Sequence, residues 1–217
     1  SSRDRTYAAV EAITQKYADF KMPQVLARQN ELGRPFEFKV VDLDIKDNIA
    51  YITINRPEAM NALNETVVSQ LDQRFTEAEN NPAVKAIVFQ GAGKSFVAGA
   101  DIKYFINNIK NDRIEDIVAF TRKGHEVFLR IENSAKLTIA LLDGLSLGGG
   151  SELALTCQAV LATPAGSMGF TETGIGIYPG LGGMLRLAKF AGPELAKFYV
   201  FTGTPITAKD AQALGIV

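Results

Sequence analysis

The stretch Leu147-Gly148-Gly149-Gly150-Ser151-Glu152-Leu153-Ala154-Leu155 (LGGGSELAL) places three consecutive glycines between an apolar run and strong helix formers. Glycine destabilises the interior of a helix or strand by roughly 0.5–1 kcal/mol relative to alanine, so a triplet indicates a specific backbone requirement. We predict a helix over residues 151–157 that begins directly after the triplet. The N–H groups at its start have no partner within the helix, and glycine lets a ligand oxygen approach them closely.

Glu152 lies in the first turn of this predicted helix. Helical side chains tilt back toward the N-terminus, so its carboxylate is expected near the N–H groups of Gly149 and its neighbours. Unpaired N–H donors that a ligand oxygen can approach closely are typical of an oxyanion hole, and here a carboxylate is expected beside them. A glycine-rich turn followed by an exposed glutamate, which the helix dipole favours, explains the same residues. The triplet alone does not decide between these two interpretations.

Composition limits the possible ligands and partners. The chain has 217 residues, of which 47% are hydrophobic, so it can bury the core of one large domain. A formal net charge of -1 offers no basic field for nucleic acid or an anionic membrane, which favours a small-molecule ligand. Cys157 is the one cysteine, and this excludes an intrachain disulfide. No apolar run approaches the roughly 20 residues that cross a bilayer. We therefore expect a cytoplasmic protein without a nucleic-acid or membrane partner.

Strand and helix patterns alternate from about residue 36 onward, and this alternation predicts an α/β fold with mostly parallel strands covered by helices. Residues 1–36, with a helical period at 7–13 and breaks at Pro23 and Pro35, are predicted to be an appendage to a domain at 37–217. Strands are predicted at 36–43, 49–55, 84–90, 136–142 and 159–163. Helices are predicted at 64–80, over a long segment including Ile114 and Ile131, and at 151–157, 181–190, 193–201 and 207–214.

The loop at residues 91–101 follows a predicted strand and is poor in bulky residues. Its Gly93-Lys94-Ser95 looks like the end of a phosphate-binding P-loop, but the first glycine of that motif would fall at position 88, which is Val88. This disfavours a nucleotide hydrolase. No cluster of histidine, cysteine and carboxylate residues has metal-ligand spacing, so we expect no metal.

Several motifs occur in order and together resemble the enoyl-CoA hydratase/isomerase family, also called crotonases, over about residues 36–217. The resemblance implies a crotonase-like spiral of ββα units that binds an acyl-CoA thioester. Coenzyme A then enters as part of the substrate, and no separate cofactor is needed. The motifs are NRPEAMNAL at 55–63, FVAGADIK at 96–103, LGGGSEL at 147–153, GFTE at 169–172, PGLGG at 179–183 and Arg186-Leu187.

The resemblance also implies roles for individual residues. The backbone N–H groups of Ala100 and Gly149 would polarise the thioester carbonyl. Glu152 and Glu172 correspond to the two glutamates that flank the reacting double bond in family members that hydrate. The turns at 59–62 and 100–103 would line the coenzyme A channel, with Lys103 near the ligand phosphates. The complete predicted binding set is Ala59, Asn61, Ala62, Ala98, Ala100, Asp101, Ile102, Lys103, Gly148 and Gly149.

These residues predict an enoyl-CoA hydratase, a lyase of fatty-acid β-oxidation that adds water across the trans-2 double bond. Glu152 would hold and activate the water, and Glu172 would deliver a proton to C2. An isomerase needs only one carboxylate, so the second glutamate favours hydration. An enoyl-CoA isomerase, a hydrolase, a dienoyl isomerase and a non-catalytic interaction module on the same fold remain alternatives.

Two features depart from the family pattern. Residues 17–38 faintly resemble the tail of a 3-hydroxyacyl-CoA dehydrogenase, which suggests the hydratase part of a fused enzyme. The chain stops at Val217, where crotonases usually continue into C-terminal helices, so the C-terminal helical part is expected to be truncated. The family suggests a homotrimer or hexamer, an assembly that such a truncation would weaken. Outside the motifs, His125 is expected at a helix surface and Cys157 in the core.

Overall fold

The computed structural model describes residues 39–217. Predictions made for residues 1–38 lie outside the described residues: the helix at 7–13, the appendage with its boundary at 36, and the dehydrogenase-like stretch at 17–38.

Strands and helices alternate along the described chain. The strands are β1 (Val41–Lys46), β2 (Ile49–Ile54), β3 (Ala86–Gly91), β4 (Ser95–Ala98), β5 (Leu137–Leu142), β6 (Leu145–Leu147), β7 (Ala159–Ala162), β8 (Ser167–Gly169) and β9 (Ile206–Thr207). The helices are α1 (Glu65–Asn80), α2 (Ile102–Lys110), α3 (Ile114–Glu132), α4 (Gly149–Ala154), α5 (Gly183–Ala191), α6 (Pro193–Thr202) and α7 (Ala208–Ala213). Short 3-10 turns lie at Pro57–Ala59 and Glu172–Ile175.

Two sheets share these strands. The first has the order β1-β2-β3-β5-β7, in which the β1–β2 hairpin is antiparallel and the other pairs are parallel. The second has the order β4-β6-β8-β9, in which only the short β8–β9 pair is antiparallel. The strand pairs β3–β4, β5–β6 and β7–β8 each contribute their first strand to one sheet and their second to the other, with helices following. This confirms the predicted α/β fold built from ββα units.

The amphipathic patterns locate the longer elements correctly. The side chain of Asn64 caps α1 by accepting a hydrogen bond from the Val67 N–H at 2.9 Å, as the sequence predicts. Cys157 is buried in the core, as expected. No helix among residues 39–217 combines the length and apolar character that crossing a bilayer demands. The predicted apolar stripe of α1 is buried and consists of Val67, Val68, Leu71, Phe75 and Ala78.

The structure corrects three of the predicted boundaries. β4 lies inside the segment predicted as a loop, because a strand of four residues is too short to show a clear alternation. The predicted helix with Ile114 and Ile131 is α3, which begins only at Ile114, because a separate helix, α2, ends before Asp112, whose backbone is left-handed with φ 54°. The helix predicted at 151–157 begins earlier, at Gly149, and ends at Ala154.

The early start of α4 explains why three consecutive glycines are needed here. Gly148 precedes the helix with φ 44°, a backbone conformation that favours glycine. A Cβ placed on Gly150 would lie 2.0 Å from the carbonyl oxygen of Val97, so α4 rests directly on the backbone of β4. A Cβ on Gly149 would lie 3.0 Å from Cδ1 of Leu63. Close packing of this helix on β4 therefore requires residues without side chains.

Asn61 fixes the turn that follows β2. Its side chain is fully buried, and its amide nitrogen donates to the carbonyls of Ala92, Ser95 and Phe96 at 2.9, 2.8 and 3.2 Å. Its amide oxygen accepts a hydrogen bond from the Arg56 N–H at 2.9 Å. One side chain therefore joins the 56–61 turn to the connection between β3 and β4.

Replacing Asn61 with Ala should lower the free energy of unfolding by about 2–4 kcal/mol, because buried carbonyls lose their donor. Urea unfolding followed by circular dichroism measures this loss. The matched control is Asn55→Ala at an exposed asparagine that donates one hydrogen bond to Asp42, and it should stay within about 0.5 kcal/mol of the wild type. Equal losses in the two variants would contradict the structural role given to Asn61.

Candidate active site

Three turns meet at one edge of the second sheet. β4 and β6 are parallel, with Ala98 opposite Leu147, so both strands end at the same edge. Ala100 and Gly149 each lie two residues beyond this pair. Leu63, from the turn after β2, forms a parallel bridge with Ala100. The two residues predicted to donate to a thioester carbonyl thus lie on neighbouring segments of the chain.

The backbone around Ala100 determines where its N–H points. The N–H of Leu63 donates to the Gly99 carbonyl at 2.8 Å, and the N–H of Asp101 donates to the Leu63 carbonyl at 2.7 Å. The Gly99 carbonyl and the Ala100 N–H belong to one trans peptide group and point in opposite directions, so the Ala100 N–H faces away from Leu63, toward the side on which β6 pairs with β4. Gly149 begins α4, where the first N–H groups lack a partner within the helix.

Glu172 lies against the glycine triplet. It begins the 3-10 turn after β8, and the Gly148 N–H donates to the Gly169 carbonyl at 2.8 Å, which keeps the ends of β6 and β8 together. A Cβ placed on Gly148 would lie 2.6 Å from Oε1 of Glu172. The second oxygen, Oε2, is buried and has no hydrogen-bond partner among the described residues. Burial raises the pKa of Glu172 above its ordinary value.

Glu152 is almost completely buried, with 2% of its surface exposed. Its Oε1 accepts hydrogen bonds from the N–H groups of Leu181 at 2.7 Å and Gly183 at 2.8 Å. Burial raises the pKa of Glu152 to about 7, although these two donors oppose the shift. The negative charge of Glu172 raises this pKa further, and the positive charge of Arg186 lowers it. The two glutamates therefore interact electrostatically.

The predicted coenzyme A residues surround this edge in different environments. Ala59 and Ala62 flank the turn held by Asn61, whose own side chain points into the protein and is saturated by internal hydrogen bonds. The Ala98 N–H donates to the Met60 carbonyl at 3.0 Å, which fixes this turn beside β4.

Beyond Ala100 the chain turns into α2. Asp101 caps the helix by accepting from the Lys103 N–H at 3.0 Å and pairs with Arg56 at 2.7 Å. Ile102 and Lys103 are exposed. A ligand at this edge can therefore reach the side chains of Ile102 and Lys103.

The donors to Glu152 were not identified from the sequence. Leu181 and Gly183 act through backbone N–H groups, which no residue type reveals. Arg186 could have been identified from the sequence, because Gly183, Arg186 and Leu187 follow the i, i+3, i+4 spacing of a buried helix face. A charged residue on such a face needs a partner of opposite charge, and this partner is the half-buried Glu132 of α3 at 2.7 Å.

The Glu152→Gln variant should gain stability relative to the wild type as the pH rises. Glu152 holds its proton more tightly when folded, with a pKa of about 7 against an ordinary value of 4.5, so the wild type loses stability between these pH values. The wild type loses about 1.4 kcal/mol of unfolding free energy for each pH unit in this range, so the total loss approaches roughly 3 kcal/mol. Glutamine does not ionise, so the variant has no such loss. Urea unfolding of both proteins from pH 4 to 8 measures the difference. A difference that does not vary with pH would show that Glu152 is not buried as a carboxyl group.

Comparison with known proteins identifies the family of this chain. A family model described as enoyl-CoA hydratase/isomerase matches residues 44–217. The short-chain-enoyl-CoA hydratase of Clostridium acetobutylicum is 40% identical over 184 residues, which cover 83% of this chain and 68% of that protein. The crotonyl-CoA hydratase of Syntrophomonas wolfei is 38% identical over 181 residues, with the same coverage of 83% and 68%.

Solved structures show the same fold. The enoyl-CoA hydratase of Thermoplasma volcanium superposes with a TM-score of 0.77 at 34% identity, covering 84% of this chain and 71% of that one. The enoyl-CoA hydratase from Geobacillus kaustophilus gives a TM-score of 0.76 at 35% identity, covering 84% and 68%. With the family model, the sequence relatives and the fold in agreement, the chain belongs to the enoyl-CoA hydratase/isomerase family.

Proposed function

We infer that this chain is an enoyl-CoA hydratase that adds water across the trans-2 double bond of an enoyl-CoA thioester. One observation carries the inference: Glu152, buried in the first turn of α4, and Glu172, which lies against Gly148 just before that helix, are close enough to interact electrostatically. Relatives at 38–40% identity bear the names of short-chain and crotonyl-CoA hydratases, which supports the same substrate class here.

The proposed reaction begins at the thioester carbonyl. The N–H groups of Ala100 and Gly149 donate to its oxygen and stabilise the negative charge that develops there. Glu152 removes a proton from a water molecule as the water oxygen bonds to C3 and the C2–C3 π electrons shift toward the carbonyl. Glu172 then gives a proton to C2, which restores the thioester carbonyl. Transfer of the proton from Glu152 to Glu172 returns both carboxyl groups to their starting forms.

The raised pKa values of Glu152 and Glu172 favour this proton exchange. Burial raises the pKa of both carboxyl groups, and the negative charge of Glu172 raises the pKa of Glu152 further, so one carboxyl group can accept a proton while the other donates one. The proton belongs to the pair rather than to either residue. A positioned acid or base contributes on the order of 10²–10⁴ in rate, and one oxyanion donor about 10²–10³.

Burial of Glu172 favours hydration over the alternatives. A double-bond isomerase needs only one carboxylate, and a non-catalytic interaction module needs neither. Glu152 is buried and Glu172 half-buried, and burial raises the pKa of both carboxyl groups, a perturbation that is typical of functional sites. The hydrolase and dienoyl isomerase alternatives have no observation in their favour.

The remaining parts of the proposal concern ligand and setting. The turns at 59–62 and 100–103 would hold coenzyme A as part of the substrate, with Lys103 toward its phosphates. The reaction uses carboxyl and N–H groups and needs no separate cofactor or metal; among residues 39–217 no group of three or more potential metal ligands comes together. A place in fatty-acid β-oxidation, a cytoplasmic location and a homotrimer or hexamer remain predictions from the family resemblance and the composition.

Mixing the protein with crotonyl-CoA should cause a steady loss of the ultraviolet absorbance of the conjugated enoyl thioester. Glu172→Gln should lower kcat by about 10²–10⁴, because the proton donor to C2 is lost. Glu126→Gln, at an exposed position of α3, is the matched control and should keep the wild-type rate.

Two results would refute this assignment. One is a wild-type rate of hydration in Glu172→Gln. The other is an absorbance that does not fall with crotonyl-CoA but rises with a 3-enoyl-CoA, as expected of an isomerase.

A further inference from the structure

Arg186 is a buried cation outside the predicted site. It lies on α5 with 5% of its surface exposed. Its Nε and Nη2 both donate to Oε2 of Glu132, at 3.0 and 2.7 Å. A guanidinium group held in two places by one carboxylate has little freedom to rotate.

The third nitrogen of the guanidinium group contacts the turn whose N–H groups bind Glu152. Nη1 of Arg186 donates to the Leu181 carbonyl at 2.7 Å. The N–H of the same residue, Leu181, donates to Oε1 of Glu152 at 2.7 Å. A Cβ placed on Gly182 would lie 2.7 Å from Nη1, so the turn also packs against the guanidinium. A continuous path of hydrogen bonds therefore runs from Glu132 through Arg186 to Glu152.

We propose that Arg186 is a positioning residue for the hydration reaction: it fixes the 181–183 turn so that two N–H groups hold Glu152 as the carboxylate that accepts a proton from water. The proposal rests on the proposed function, because it assigns Arg186 an effect on a group that must be ionised to act. Arg186 itself does not touch the reacting atoms.

The charges around Glu152 support the same role for Arg186. The charged side chains that act on Glu152 are Glu172, which disfavours its ionisation, and Arg186, which favours it. Glu132 pairs with Arg186 on one side, and Lys189 pairs with the other oxygen of Glu132 at 3.3 Å. Loss of the Arg186 cation removes both an attractive charge and the anchor of the donor turn. Both changes raise the pKa of Glu152.

The test is the pH dependence of kcat/KM with crotonyl-CoA. In Arg186→Gln the acidic limb should move to higher pH by roughly 0.5–1 unit, with most of the activity recovered above the limb. Arg186→Lys keeps the charge and should leave the limb close to the wild-type position. A purely structural role predicts the same proportional loss at every pH and no movement of the limb, which would overturn the proposal.

The Glu132→Gln variant distinguishes the effect of the Arg186 charge from the effect of its ion pair with Glu132. It breaks the same pair but leaves the cation in place, so the acidic limb should stay or move to lower pH. An upward shift in both Arg186→Gln and Glu132→Gln would mean that loss of the pair, and not of the cation, is responsible. Lys189→Gln is the matched control on the exposed side of Glu132 and should leave the profile unchanged.

A direct titration separates this proposal from the proposed function. Carbon-13 NMR of glutamate carboxyl groups, with the Glu152 resonance identified by its absence in Glu152→Gln, reports ionisation without turnover. Glu152 should titrate at higher pH in Arg186→Gln than in the wild type, and equal titration in the two proteins would overturn the proposal. A wild-type protein that does not hydrate crotonyl-CoA would instead refute the proposed function, whatever the titration shows.

Discussion

Contact between α4 and β4 is the constraint on which the site depends. Gly150 leaves no room for a Cβ beside the Val97 carbonyl, so the helix axis lies as close to the strand as its backbone allows. This contact, together with the parallel pairing of β4 and β6, fixes Gly149 relative to Ala100. A side chain at position 150 would separate the two turns. The position of the proposed oxyanion donors is therefore set by packing of the backbone, and backbone packing is rigid.

The electrostatics of the site are built around the same turns. Glu152 is buried at a cost to stability, and the cost is limited by two N–H donors from the 181–183 turn. Glu172, brought against Gly148 by the pairing of β6 with β8, keeps the proton affinity of Glu152 high. Arg186 acts in the opposite direction from behind the turn. Burial has the largest effect, and its balance against the two donors and the two charges gives Glu152 a pKa of about 7, where a group can both take up and release a proton.

Much of this could be predicted from the sequence, and the reasons for the failures are physical. The stripe of α1 and its Asn64 cap follow from local pattern, and both are present in the structure. The short strand β4 was missed because its pairing partner, β6, is about 50 residues away in the chain and supplies no local signal. The glycine triplet predicted that a ligand oxygen can approach the N–H groups at the helix start. The structure adds that α4 begins within the triplet, at Gly149, and that Gly150 packs on the backbone of β4. The donors to Glu152 come from backbone N–H groups, which sequence patterns do not identify.

The most direct test of the central claim is a crystal structure with butyryl-CoA, a saturated thioester that cannot be hydrated. The thioester oxygen should lie roughly 2.7–3.1 Å from both the Ala100 and the Gly149 backbone nitrogens. The C2 and C3 atoms should lie between the carboxyl groups of Glu152 and Glu172. A thioester oxygen that contacts neither nitrogen, with the acyl group bound elsewhere on the protein, would contradict the account.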